Sequence, residues 1–221
     1  MGCILENLEP RRLCASTVPT GTITGVVFND LNRNGVPDAG EPGLAGYRIF
    51  LDINRDGLCG KKDAWVRASS SGRYTFSNVP IGKYQLCETT VETRGPTSPT
   101  SFVVNLKADQ RIVRSFGNAG GTISGSVFLD IDRDGRREAD DVGIPHARVW
   151  LDLDNDSVLD SNEPTMETTS TGRYSFGDLL AGDYRIRVLP IDHMTFTTGD
   201  ARKVTLPPAG TTVRHIGVLG G

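Results

Sequence analysis

The twelve residues from Asp30 to Glu41 place oxygen-bearing side chains where a calcium ion would need them. Counted from Asp30, carboxylate or amide side chains occupy positions 1, 3, 5, 9 and 12, and glycine occupies position 6. This order follows the calcium-loop pattern D-x-[DN]-x-[DN]-G-x₅-E. Calcium takes about 6–8 oxygen ligands, so a short loop must turn alternate side chains inward, bend at the glycine and close with a carboxylate. The sequence therefore predicts a Ca²⁺ site here.

The pattern occurs three more times, and we number the four segments loops 1 to 4 in chain order. Loop 2 has Gly60 at position 9, where a water would have to serve, and loop 4 has Ser157 at the glycine position. The position-7 residues contribute main-chain carbonyls. The predicted calcium ligands are Asp30, Asn32, Asn34, Val36, Asp38 and Glu41 in loop 1; Asp52, Asn54, Asp56, Leu58 and Asp63 in loop 2; Asp130, Asp132, Asp134, Arg136, Glu138 and Asp141 in loop 3; and Asp152, Asp154, Asp156, Val158, Asp160 and Glu163 in loop 4.

The charge distribution agrees with this interpretation. The loops hold 17 of the 27 acidic residues and 7 of the 24 basic residues, so they carry −10 while the rest of the chain carries +7. Without a cation these carboxylates repel one another at close range. The predicted ligands carry a charge of −3 in loops 1 and 2 and of −5 in loops 3 and 4, and we expect loop 4 to bind Ca²⁺ tightly and loop 2 weakly.

The composition argues against several other functions. A formal net charge of −3 does not favour nucleic-acid binding. The chain has no apolar run of about 18 residues for a membrane span. Its three histidines share no ligand spacing, and it has no phosphate loop or nucleophile motif. We therefore expect a protein that is not an enzyme.

From Gly21 onward the chain repeats itself with an offset of 100 residues and no insertion, as Gly72-Arg73-Tyr74 and Gly172-Arg173-Tyr174 illustrate. We expect an N-terminal arm over 1–20, a first repeat over 21–118 and a second repeat over 121–221. Each repeat is rich in short Val-, Ile-, Thr-, Tyr- and Phe-containing segments bounded by Gly, Pro and Asn. In the first repeat these predict strands at 22–29, 46–52, 64–69, 73–77, 83–88, 101–106 and 111–117.

About seven short antiparallel strands in 100 residues predict an all-β sandwich with Greek-key connections. Tyr47, Ile49 and Leu51 are expected to face the core, and the residues alternating with them, including Asp52, to face water. The aromatic residues that alternate along later strands are also expected in the core; they are Tyr74, Phe76, Tyr84, Tyr174, Phe176 and Tyr184. Phe50 and Trp150 are phased outward, and could cover an edge, meet the N-terminal arm or a domain junction, or form a carbohydrate platform.

The loop at 30–41, the Glu-Pro-Gly-Leu that ends it, the second loop and Gly72-Arg73-Tyr74-x-Phe76 together resemble the B-type repeats of staphylococcal serine-aspartate-repeat surface proteins. Those repeats belong to the wider collagen-adhesin B-type, prealbumin-like sandwiches. The resemblance implies two tandem calcium-binding spacer domains in a secreted or cell-surface bacterial protein. Host-surface, matrix or other cell-surface proteins are the expected partners, and we expect the chain to be a monomer.

The second repeat departs from that family pattern, since Asp141-Val142-Gly143-Ile144 replaces Glu-Pro-Gly-Leu. Many collagen-adhesin B-type domains carry a Lys–Asn cross-link with the lysine on the first strand. Neither 22–29 nor 122–129 contains lysine, so we expect no such cross-link.

Four cysteines are present. Cys59 and Cys87 both lack a counterpart in the second repeat, which fits a disulfide but also two unrelated thiols. Cys3 and Cys14 either pair or stay free. Residues 5–13 resemble the "LEPR" motif near the N-terminus of large exported planctomycete proteins, and a disordered arm is the alternative.

Two other functions compete with the spacer. The loops of each repeat start 22 residues apart, as in a dockerin-like assembly module, but a dockerin needs helices between its loops. An ancillary carbohydrate-binding domain of a larger enzyme is the third possibility.

Overall fold

The computed structural model describes residues 18–54, 56, 59–60, 62–89 and 91–220. The N-terminal motif, Cys3, Cys14 and the predicted ligand Leu58 lie outside the described residues. Within these ranges the secondary structure is entirely strand, and no helix suited to crossing a bilayer is found there. The segment between loops 1 and 2 contains a strand at 48–51 and no helix, so the dockerin-like hypothesis is wrong.

Nine strands are found among the described residues of each repeat. In the first they are β1 (Thr20–Asn29), β2 (Arg48–Leu51), β3 (Ala64–Arg67), β4 (Arg73–Pro80), β5 (Gly82–Glu88), β6 (Gly95–Pro96), β7 (Ser101–Leu106), β8 (Arg111–Val113) and β9 (Phe116–Ala119). In the second they are β10 (Gly121–Leu129), β11 (Arg148–Asp152), β12 (Thr165–Glu167), β13 (Arg173–Leu179), β14 (Gly182–Val188), β15 (Met194–Phe196), β16 (Ala201–Leu206), β17 (Thr211–Val213) and β18 (Ile216–Gly220).

Two sheets form each repeat. In the first repeat one sheet has the order β4-β1-β9-β6, with β8 also paired to β1, and the other has the order β3-β2-β5-β7. The second repeat has the equivalent sheets β13-β10-β18-β15, with β17 on β10, and β12-β11-β14-β16. Each repeat has its own cluster of buried apolar side chains, centred on Ile23 and Leu51 or on Ile123 and Leu151. The prediction of two tandem all-β sandwiches is confirmed.

The strands are not all antiparallel, which corrects the sequence-based expectation. β8 and β9 both run parallel to β1, with Ile23 opposite Ile112 and Asn29 opposite Asn118. Because the first and last strands of the repeat run in the same direction, the chain enters at one pole and leaves at the other. Only Gly120 separates β9 from β10, so the second repeat begins at the pole where the first one ends.

The strand predicted over 111–117 is split into β8 and β9 by a bend at Arg114. At this bend the carbonyl oxygen of Arg114 crosses Gly25 so closely that a Cβ on the glycine would lie 1.5 Å from it. The Tyr74 hydroxyl donates to the same carbonyl at 2.5 Å. Gly125, Tyr174 and Arg214 repeat the arrangement in the second repeat.

The core aromatics lie as predicted, although Tyr184 is only partly buried. Two expectations about outward-facing residues are wrong. Asp52 is only 3% exposed, because it turns into loop 2 as its first residue. Trp150 is 2% exposed beneath the Arg187 guanidinium, which lies 5.9 Å from its ring, so it cannot serve as a carbohydrate platform.

Candidate metal centres

The first aspartate of every loop is buried at the point where a strand ends. Asp30 and Asp130 are fully buried, and Asp52 and Asp152 are each 3% exposed. The Asp30 carboxylate accepts hydrogen bonds from the backbone N–H groups of Asn34 at 3.1 Å and Gly35 at 2.7 Å. In loop 1 the carboxylate at position 1 therefore closes the first turn of the loop.

The side chains at positions 3 and 5 each accept a hydrogen bond from the backbone N–H two residues further on. In loop 3, Asp132 accepts from Asp134 at 3.2 Å and Asp134 accepts from Arg136 at 2.7 Å. Loops 1 and 4 repeat both bonds, and loop 2 shows the first of them. These turns direct successive side-chain oxygens toward one side of the loop.

The turn requires left-handed backbone at position 6. Gly35 has φ 76°, Gly135 has φ 73°, and Ser157 has φ 70° in the place of the glycine. A non-glycine residue in this region costs on the order of 1 kcal/mol. Loop 4 therefore keeps the shape of the others despite its serine.

The carboxylate at position 12 closes each loop, and its length matters. Glu163 accepts from Leu153 at 2.7 Å through one oxygen and from Asp160 at 3.1 Å through the other. Glu41 does the same in loop 1. The shorter side chains Asp63 and Asp141 show only the bond to position 9. A glutamate thus ties both ends of its loop, whereas an aspartate ties one.

The structure brings the predicted carboxylates of loops 3 and 4 together. One oxygen from each of Asp130, Asp132 and Asp134 lies within 4.8 Å of the others. Two overlapping groups meet the same limit in loop 4, and they are Asp152 with Asp154 and Glu163, and Asp154 with Asp156 and Asp160. Burial and the neighbouring carboxylates raise the pKa of Glu138 and of Asp160. Such close like charges favour a bound cation.

Unpartnered oxygens test whether these residues fit calcium. Among the described residues, Asp63 Oδ1, Asp130 Oδ1 and Asp152 Oδ1 are buried and accept no hydrogen bond. Burying a carboxylate oxygen without a partner is costly. All three belong to predicted ligands, so the donor set fits a hard cation with oxygen ligands.

Loop 1 differs because two of its side-chain amides donate hydrogen bonds to one of its own carboxylates. The Asp38 carboxylate accepts from the side-chain amides of Asn32 at 2.8 Å and Asn34 at 2.7 Å, which lowers its pKa. Turning those amides so that their oxygens face the loop centre would free Asp38 for a metal. The position-7 side chains Val36, Arg136 and Val158 are exposed, as expected if only their carbonyls act as ligands.

Loops 2 and 4 are fastened to the sheet in different ways at equivalent positions. Cys59 and Cys87 form a disulfide, which settles the choice left open by the sequence. At the position of Cys87, Arg187 instead donates to Asp152 at 2.6 Å and to Ser157 at 2.6 Å. Burial raises the pKa of Asp152, but the contact with Arg187 outweighs it and leaves the pKa below its usual value.

Loop 1 also reaches across to the second repeat. The Arg33 guanidinium donates to the carbonyls of Gly120 and Ala209, each at 2.8 Å. Beside it, Arg94 forms an ion pair with Asp178 at 2.6 Å. Asn29 completes this junction by donating to Asp178 and accepting from Arg94, both at 2.8 Å. Burial raises the pKa of Asp178, but the hydrogen bonds from Arg94 and Asn29 outweigh burial and leave the pKa below its usual value.

Sequence reasoning missed the partners that lie far along the chain. Arg187, Arg94 and Asp178 belong to no motif. The repeat comparison carried a signal for Arg187, because it occupies the place of Cys87. Nothing in the sequence pairs Arg94 with Asp178, which is 84 residues away.

Comparisons with known proteins bear on this fold and these loops. The SdrD B-like domain family matches residues 21–110 and 121–205. The chain is 25% identical over 187 residues to the serine-aspartate repeat-containing protein E of Staphylococcus aureus strain USA300, a match that covers 76% of this chain and 15% of that protein. It is equally similar, with the same coverage, to the bone sialoprotein-binding protein of S. aureus strain MRSA252. The match thus covers only a small part of these relatives.

Among solved structures, the Bacillus anthracis TIE protein is similar with a TM-score of 0.51 and 12% identity, covering 91% of this chain and 34% of that one. This likeness concerns the fold alone. The family match spans most of both repeats and includes all four loops. This chain therefore belongs to the SdrD B-like domain family.

Proposed function

We propose that this protein is a calcium-stiffened spacer that acts as part of a secreted or cell-surface bacterial protein. The observation that carries the proposal is the set of buried carboxylate oxygens at Asp63, Asp130 and Asp152 that have no partner within the described part of the chain. A divalent cation is the natural partner for acidic oxygens grouped in this way.

The ligands would be the side chains at positions 1, 3, 5, 9 and 12, with the position-7 carbonyl. Calcium would supply the positive charge that offsets their mutual repulsion. A metal that binds only the folded state stabilises it by RT ln(1 + [L]/Kd), about 3 kcal/mol per site at a hundredfold excess over Kd. Extracellular modules bind calcium at about 10⁻⁴–10⁻³ M, so calcium outside cells would fill such sites.

A spacer needs its two ends at opposite poles and its joints resistant to bending. The parallel course of β1 and β9 supports the first requirement. The single residue between β9 and β10 and the Arg94–Asp178 pair support the second. Loop 1 links calcium binding to the junction, because Arg33 lies between two predicted loop ligands and also contacts Gly120 and Ala209. Ordering loop 1 with calcium would therefore also stiffen the junction.

The relatives support the location and the class of protein. They are named as serine-aspartate repeat and bone sialoprotein-binding proteins, so a structural role in surface display or adhesion suits this chain better than catalysis. Partners would be host-surface, matrix or other cell-surface proteins.

Isothermal titration calorimetry of single-loop variants tests the calcium sites and their order. Asn34→Ala, Asp56→Ala, Asp134→Ala and Asp156→Ala each remove the exposed position-5 ligand of one loop. Each variant should lose one calcium-binding event. Asp156→Ala should remove the tightest event, because loop 4 has five carboxylates and no basic residue. Asp56→Ala should remove the weakest.

Asp192→Ala is the matched control, since it removes an exposed carboxylate outside the loops. Its titration should match that of the unmodified chain. Calcium binding that is unchanged in all four loop variants would contradict the assignment of the ligands, and equal affinities for the four loops would contradict the predicted order.

A further inference from the structure

A cavity of about 640 Å³ lies on the flank of the second repeat, between loop 3 and the sheet that contains β10 and β13. This volume is within the range of small-ligand sites, about 300–1,000 Å³. Its lining includes hydroxyl, guanidinium and imidazole groups, which belong to Ser124, Ser126, Arg137, Arg173, Ser175 and His215.

Two guanidinium groups give the cavity a cationic wall. The Arg137 guanidinium lies 5.7 Å from the centre of the Phe128 ring, and its side chain is 22% exposed. Its ion pair with Asp141 is long, at 3.8 Å. Arg173 is exposed and forms no ion pair with any residue that the structure describes. Arginine binds carboxylates with two parallel hydrogen bonds.

Hydroxyl groups and an imidazole also line the cavity. The Ser126 hydroxyl is buried and lies 2.8 Å from His215 Nδ1, which leaves the other ring nitrogen without a described partner. Burial and the nearby Arg137 lower the pKa of His215, so its ring is neutral near pH 7. Ser124 and Ser175 make no side-chain hydrogen bond with the described residues. Hydroxyls and neutral imidazole both donate and accept, as sugar hydroxyls do.

The first repeat provides an internal comparison, because it keeps an arginine, Arg73, at the position of Arg173 but has other residue types at the positions of Ser126, Arg137 and His215. Thr24 and Thr75, in the places of Ser124 and Ser175, bond to each other at 3.0 Å. Val26, Pro37 and Ser115 stand where the second repeat has Ser126, Arg137 and His215. The two repeats share their core and their topology. On this flank the second repeat thus has a hydroxyl, a guanidinium and an imidazole where the first repeat has Val26, Pro37 and Ser115.

We propose that this cavity binds a carboxylate-bearing sugar, such as a uronic acid of a glycan. Arg137 and Arg173 hold the carboxylate, and Ser124, Ser175 and His215 bond to the ring hydroxyls. Glu138 also lines the cavity, and it is a predicted ligand of loop 3. Calcium in that loop removes a repulsive charge from the wall, and this one point rests on the proposed function.

The test is an NMR titration of the ¹⁵N-labelled chain with glucuronate, in calcium and again in chelator. Saturable chemical-shift changes at the amides of Ser126 and His215 are expected. Glucose lacks the carboxylate and acetate lacks the sugar ring, so each should bind at least about tenfold more weakly. The variant Ser126→Val/Arg137→Pro/His215→Ser carries the residues of the first repeat and should lose this binding. Arg137→Gln, which removes the charge but keeps a polar side chain, should weaken it about tenfold or more.

Saturable glucuronate binding in either buffer supports the site, whether or not the loops take calcium. Absence of binding in both buffers overturns it, as does equal binding by the triple variant. Glucose binding as tightly as glucuronate would refute the role of the carboxylate, and acetate binding as tightly would refute the role of the sugar ring. Unchanged amide spectra of the two variants elsewhere in the chain exclude unfolding as the cause of a loss.

Discussion

Replacing Gly125 by alanine should destabilise the second repeat by on the order of 4 kcal/mol or more. The added Cβ would lie 1.5 Å from the Arg214 carbonyl oxygen, and 2.7 Å from the Tyr174 hydroxyl. Neither neighbour can move freely, because the Arg214 N–H donates to Ser124 and Tyr174 donates to the Arg214 carbonyl. Overpacking against a well-packed core costs about 1–3 kcal/mol, and a clash with fixed backbone exceeds that. Chemical denaturation should show the second repeat unfolding first.

Gly177→Ala is the matched control for this substitution. Gly177 lies in the strand β13 of the same sheet, yet no heavy atom lies within 4 Å of the position that its Cβ would take. Its denaturation curve should stay within about 0.5 kcal/mol of the unmodified chain. If Gly125→Ala is as stable as this control, the close crossing at Arg214 is wrong.

The stability of the first repeat should fall as the pH rises from about 4.5 to about 8. Glu88 is 7% exposed, and one of its carboxylate oxygens accepts from the buried Asn118 amide at 2.9 Å. Its other oxygen has no partner among the described residues. Burial raises the pKa of Glu88 to about 8, and the Asn118 hydrogen bond offsets only part of this.

The direction of this pH dependence follows from proton binding to Glu88. Between the pKa of the unfolded chain and that of the folded chain, only the folded state keeps the Glu88 proton, so each pH unit favours unfolding. The stabilisation is fully present below pH of about 4.5, declines by about 1.4 kcal/mol per unit, and is gone above about 8. Its total approaches about 4–5 kcal/mol.

The second repeat supplies the control, because Val188 and Val218 occupy the positions of Glu88 and Asn118. The double variant Glu88→Val/Asn118→Val should therefore lose this slope while remaining folded, since replacing both partners by apolar groups is nearly neutral. Unfolding free energies at a series of pH values, taken as the difference between the two proteins, isolate the contribution of this pair. A flat difference between pH 5 and 8 would contradict the burial of an uncharged Glu88.

The sequence was sufficient to predict features that depend on residues close together in the chain. The loops could be predicted because the turns at Asp132 and Asp134 and the closing bonds of Glu41 and Glu163 each depend on residues within twelve positions. The strands could be predicted from alternation, and the offset of 100 residues predicted two units.

Features set by distant contacts could not be derived in this way. The parallel pairing of β9 with β1 joins residues about 90 positions apart, and the bend at Arg114 depends on Gly25. The same limit applies to Trp150, whose alternation pattern faces outward but whose exposure is removed by Arg187. The junction contact of Arg33 with Ala209 spans 176 residues.

Small-angle X-ray scattering of one sample, first in calcium and then in chelator, measures whether calcium stiffens the pair of repeats. If metal in the four loops holds the two repeats in a stiff row, the calcium sample will scatter as an extended particle with a defined maximum dimension. The chelated sample will show a broader distribution of distances and a raised tail in the Kratky plot. Two curves that superimpose would contradict the account.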